Sequence, residues 1–163
     1  MMEETDLTSD IMIYNLINHC KKPYINQCNL KFIDNTVPAQ EDNTIYIANI
    51  DLELKDETFN SDQYKALVNI YIKTKQTDYL EGSRFLRTVA KEIKDLIKTD
   101  VTCKRRHGKV RNISYEYGSQ YTLKGLHMIV QLDEHDKVGD DVDFFKRLEI
   151  DPIEVEIDYE KDR

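Results

Sequence analysis

Only a few residues of this chain have the types and spacing that chemistry requires. Cys103 and His107 form a C-x₃-H pair, and His19, Cys20 and Cys28 add further soft donors. A structural zinc site needs two such close pairs, so that four ligands can close a tetrahedron. One pair qualifies here, and it lies in CKRRHGKVR, whose cations repel a dication. The sequence therefore implies no metal and no cofactor, with the cysteines buried or incidental. His127 falls between Leu126 and Met128 in an alternating segment, on the opposite side of a strand from both. No serine or cysteine nucleophile stands beside it in sequence, so it reads as a satisfied or exposed histidine rather than a general base. Asp140 and Asp141 lack the spaced acids and the twelfth-position glutamate of a calcium loop. The strings G-x-S-x-G, G-x-G-x-x-G, H-E-x-x-H and the P-loop do not occur. No catalytic residue is assigned, and the expected function is not enzymatic.

The strongest cluster is cationic. Lys104, Arg105, Arg106, Lys109 and Arg111 place five positive charges within eight residues, and Tyr115 and Tyr117 follow. A basic patch interleaved with aromatics can bind single-stranded nucleic acid. It can equally pair with acidic residues of its own or a neighbouring subunit. The charge distribution favours the second. Residues 133–163 hold thirteen acidic and five basic side chains, whereas residues 1–132 hold eighteen of each, so the whole net charge of −8 lies in the last part. A neutral body with an acidic extension argues against a general nucleic-acid binder, because phosphate neutralisation needs a basic surface. The five cations are therefore the candidate interaction site, and a small nucleic-acid-binding module is the alternative. Within the extension, Glu154, Glu156 and Asp158 alternate with Ile153, Val155 and Ile157. That is the pattern of a strand that pairs with a sheet edge, in this chain or another.

The elements that must position these groups follow from periodicity. Residues 7–20 read as a helix capped by Thr8 or Ser9, with Ile13, Leu16 and Ile17 inward and Pro23 forbidding continuation. Asn29 to Ile33 is a short strand, and residues 34–43 form a loop stiffened by Pro38. Residues 44–54 alternate, with Tyr46, Ala48, Ile50, Leu52 and Leu54 on one face and Ile45 and Ile47 on a partly wet one. A polar linker, residues 55–62, leads to a strand at 64–73 that turns Ala66, Val68, Ile70 and Ile72 to one side. Then the period changes. Leu80, Ser83, Leu86, Ala90, Ile93 and Ile97 recur at helical steps, widened by Val89 and Leu96, behind an Asp78 cap with Glu81 three residues on. The basic run is a loop. Strands follow at 110–117, with Ile113, Tyr115 and Tyr117 on one side, and at 121–132, where Gly125 marks a bulge or a close backbone approach.

This order predicts an α+β fold, an antiparallel sheet with helices packed on one face in a two-layer sandwich. At 163 residues it is read as one domain over 1–132 followed by the acidic extension 133–163. No run of eighteen apolar residues predicts a membrane helix, and MMEETDLTSD is the opposite of a signal peptide. The odd, scattered cysteines suit a reducing cytoplasm, with one disulfide left open.

The first helix, the Val37-Pro38 loop, the strands at 44–54 and 64–73 and the main helix together resemble the tail-terminator and tail-completion proteins of long-tailed phages. The segment G-S-x-Y-x-x-x-G-x-x-M, Gly118 to Met128, adds to the resemblance, which covers residues 7–132. It implies a compact α+β subunit of the virion tail and neck, assembled in the host cytoplasm. It further implies a homo-oligomeric ring, typically a hexamer, on the last disc of the tail tube. Its partners would be the tail-tube protein and a neck or head-completion protein, with no membrane and no sequence-specific nucleic acid. The acidic extension lies outside that common core.

Overall fold

A computed structural model describes residues 8–33, 42–57, 61–76, 78–118 and 122–137. Its elements are α1 (Ser9–Asn18), a 3₁₀ turn (Ile25–Gln27), β1 (Asn29–Phe32), β2 (Thr44–Glu57), β3 (Ser61–Lys73), α2 (Tyr79–Thr99), α3 (Val101–Arg105), β4 (Lys109–Tyr117) and β5 (Leu123–Lys137). The strands form one sheet in the order β1-β2-β3-β5-β4. β5 and β4 pair antiparallel. β5 also runs against β3, since Gly125 lies against Ile72 while His127 reaches back to Asn69. Only three residues separate β2 from β3 in sequence, which leaves an antiparallel hairpin as their arrangement. The β1–β2 pair departs from the all-antiparallel expectation. It is parallel, Asn29 facing Thr44 through Phe32 facing Ile47.

The chain divides into two compact units. The first comprises Met1–Glu53 with Lys65–Glu134, and it holds the hydrophobic core. The second comprises Leu54–Tyr64 with His135–Arg163, and its described residues are strand. In the first unit, Ile45 and Ile47 of β2, Val68, Ile70 and Ile72 of β3, and Leu126, Met128, Val130 and Leu132 of β5 line one sheet face. Met12, Ile13 and Ile17 of α1 and Leu86, Val89, Ala90, Ile93 and Ile97 of α2 cover that face. Each such large side chain removed from water contributes about 1.5–3 kcal/mol before entropy is charged against it. This is the α+β sandwich that the periodicity predicts.

The differences have physical causes. On β2 the face read as partly wet is the core face, with Ile45 and Ile47 fully buried, while Leu52 and Leu54 are more than half exposed. Alternation identifies two faces but not how far a covering layer reaches along a strand. The linker expected at 55–62 is largely strand, because β2 runs on to Glu57 and β3 begins at Ser61. The basic loop begins as a helix, α3, capped by Asp100, whose carboxylate accepts from the Cys103 N–H at 3.0 Å. β5 continues past residue 132 to Lys137, so the first acids of the extension are strand residues. The α1 cap also comes from afar. The Thr8 hydroxyl donates to Asp10, and Glu134 accepts from the Ser9 N–H at 2.7 Å. The loop at 34–41, Asp140 and Asp141, and the alternating acids at 154–158 lie outside the described residues.

Candidate assembly surface

Helix α2 is built as expected at its start, where the Asp78 carboxylate accepts from the Glu81 N–H at 3.0 Å. At 100° per residue, the buried residues Leu86, Val89, Ala90, Ile93 and Ile97 share one side of it. Leu80, expected in that stripe, is 62% exposed. It stands about 60° beyond Ser83 on the helix, which carries it off the apolar arc. It shares its arc with Arg84, Arg87, Lys91 and Lys94, all within about 80° of one another. The acid Glu92 takes the other flank. Its carboxylate accepts from the Tyr24 and Ile25 N–H groups at 2.9–3.3 Å and so anchors the 3₁₀ turn. Burial, followed by the charge of Glu92, pushes the nearby Cys28 thiol up to about 12.

The cationic flank of α2 faces β4. Between them runs a groove of about 830 Å³, lined by the four cations with Leu80, Ser83, Thr88 and Ala90 from the helix, and Ile113, Ser114, Tyr115 and Leu126 from the strands. The register explains the strand contribution. Ile113 pairs with Met128, Tyr115 with Leu126 and Tyr117 with Leu123, so all three β4 residues stand on the helix side. Ile113 is nevertheless 42% exposed, because β4 is the outermost strand among the described residues, where little covers it. Tyr115 and Tyr117 sit with ring centroids 6.1 Å apart, and burial, followed by the neighbouring Tyr79 at the start of α2, pushes the Tyr117 phenol above its ordinary value. The groove contains no carboxylate, and none of its four cations forms an ion pair among the described residues.

The cluster picked out from sequence is arranged differently. α3 ends in a turn where the His107 N–H donates to Lys104 O and the Gly108 N–H to Cys103 O, with His107 left-handed at φ 53°. These are the two hydrogen bonds of a Schellman ending, with histidine where glycine is usual. Asp133 pins the turn to β5. Its N–H donates to Arg106 O at 2.8 Å, and its carboxylate lies 2.8 Å from His107 Nδ1. Cys103 is fully buried while His107 is exposed, so the C-x₃-H pair does not converge. Among the described residues no three of His, Cys, Asp and Glu gather around a common point. Lys104 and Arg105 are exposed on α3, Arg106 is half-buried and Lys109 is exposed on β4. Arg111 is the extra residue of a bulge, since Val110 faces Val130 and Asn112 faces Ile129.

His127 lies on the sheet face away from the helices. It stacks on Tyr71 at 4.4 Å and 8°, and its Nε2 is 3.0 Å from Asn69 Oδ1. Ser114 is its cross-strand partner, a neighbour that sequence distance conceals. Beside this pair Lys73 meets Glu116 at 3.2 Å, and burial with the Glu116 charge pushes the Tyr71 phenol above its ordinary value. Of the two readings of Gly125, the close backbone approach is the one met, since a Cβ there would come within 2.5 Å of Ile72 O, which only glycine avoids. The extra residue of the adjoining bulge is Lys124, because Glu116 faces Gly125 and Tyr117 faces Leu123.

The sequence reading missed Arg84, Arg87, Lys91 and Lys94. Plotting charge around α2, rather than apolar residues alone, would have exposed the stripe. Among the described residues no helix is long and apolar enough to cross a membrane. No protein-family model matches the chain, and no curated protein matches its sequence.

Proposed function

We propose that this chain is a structural, non-enzymatic subunit that closes into a ring, a hexamer in the resembled family, at the head-proximal end of a phage tail. There it ends growth of the tail tube and joins tail to head, contacting the tail-tube protein and a neck or head-completion protein. It is assembled in the host cytoplasm and resides in the virion. The observation that carries this reading is the edge surface of α2 and β4. Leu80 and Ile113 stand exposed beside four cations that form no ion pair among the described residues, while the excess of negative charge lies wholly in residues 133–163. A head-to-tail ring needs two different, complementary surfaces on each copy, and an interface of this kind mixes apolar and polar groups. The α+β core agrees with what the resemblance implies.

Light scattering across a concentration series, with electron microscopy of the same samples, tests the proposal. Closed rings of uniform size are expected as concentration rises. A strict monomer up to about millimolar concentration, where even weak contacts of about −4 kcal/mol are half-filled, would contradict it.

A further inference from the structure

We infer that the groove between α2 and β4 takes the acidic segment of a second copy, residues 149–160, added as an extended strand along β4. The inference rests on the ring reading and names its joint. Three observations meet at this groove. The first is charge. Arg84, Arg87, Lys91 and Lys94 line it with no carboxylate among them, and none has an ion-pair partner among the described residues. An occupant rich in carboxylates satisfies all four.

The second observation is the backbone. β4 has β5 on one side and no other described strand beyond it. Every second residue of such an edge turns its N–H and C=O outward, and an incoming peptide strand pairs with both. The phosphates of a nucleic acid could meet the cations, but they only accept hydrogen bonds and leave the outward carbonyls without a donor. The third is spacing. From Arg84 to Lys94 the cations span about 15 Å of helix. In the segment EIDPIEVEIDYE, which lies outside the described residues, Glu154, Glu156 and Asp158 recur at every second position. In an extended strand they would span about 13 Å on one face. Three carboxylates on one side of a strand thus match four cations along one side of a helix. Exposed Leu80 and Ile113 add apolar contact at the same place.

Charge exchange in the full-length chain tests this. The variant Arg87→Glu/Lys91→Glu should self-associate about tenfold or more weakly than the wild type, since two ion pairs become repulsions. So should Glu154→Lys/Glu156→Lys. Mixing the two variants should restore association, because each supplies the surface that the other has lost. Circular dichroism and thermal melting of each variant alone check that both remain folded. If the wild type forms rings and the groove variant does so equally well, or the mixture fails to recover, the inference is overturned while the ring reading stands. A wild type that stays monomeric at every concentration overturns both. Loss of single-stranded DNA binding at low salt in the groove variant, with association unchanged, would assign the groove to nucleic acid instead.

Discussion

The chain carries two cationic regions, and they differ in a way that their sequences conceal. Lys104, Arg105, Arg106, Lys109 and Arg111 are crowded into eight residues, yet the fold scatters them over a short helix, a turn, a strand and a bulge. The turn itself is held by Asp133. Arg84, Arg87, Lys91 and Lys94 are spread over eleven residues with apolar ones and a single acid, Glu92, between, yet one helix gathers them into a stripe beside β4, the outermost of the described strands. Density in sequence is not density on a surface. A helix concentrates charges three and four residues apart, whereas a helix ending followed by a strand disperses neighbours.

The largest expected effect removes the support of the stripe. Leu86 and Ile93 are fully buried under it, and truncating either to alanine should cost about 2–5 kcal/mol in urea unfolding, as large-to-small core changes do. A loss of a few tenths would mean that α2 is not anchored through this face. The equivalent break in the other region is smaller. A Cβ at Gly108 would meet Leu132 Cδ2 at 2.7 Å and Cys103 O at 3.1 Å. Gly108→Ala should therefore destabilise by about 1–3 kcal/mol, the range for overpacking, and an unchanged melting curve would show that the turn is loose.

A gentler probe is pH. The Cys28 thiol beside Glu92, on the acidic flank of α2, is pushed up from 9.0 to about 12. Its folded-state value is raised, so its contribution to stability is complete below pH 9 and is lost as pH rises towards 12, where only the unfolded chain ionises freely. Replacing Cys28 with alanine should flatten that part of the stability–pH curve. Iodoacetamide should also label Cys28 far more slowly at pH 8–9 in the folded protein than in urea.

How much was legible depends on how local each determinant is. The strand at 64–73 and the helix after it were readable because pattern, cap and period change all agree within thirty-five residues. Gly125 was readable because a glycine inside an alternating strand has few other meanings. Burial on β2 was not, because whether Ile45 or Leu52 is covered depends on where α1 and α2 end, far away in sequence. The parallel β1 depends on which neighbour a four-residue strand finds. Leu80 was misplaced by extending a three-residue step outward from Ser83, although 60° of rotation separates them. The pairing of Ser114 with His127, and of Asp133 with His107, is a matter of sheet register that no local window contains.

The central claim is that assembly runs through the α2 stripe rather than the contiguous basic run. Sedimentation velocity of two full-length charge reversals against the wild type tests it directly. Arg87→Glu/Lys91→Glu should shift the boundary to the monomer at concentrations where the wild type forms rings, and the wild-type rings should weaken as salt shortens the screening length from about 10 Å at 0.1 M. Lys104→Glu/Arg105→Glu should leave the ring boundary in place, changing association by no more than about twofold. Rings that survive the first reversal and dissolve with the second would contradict the account.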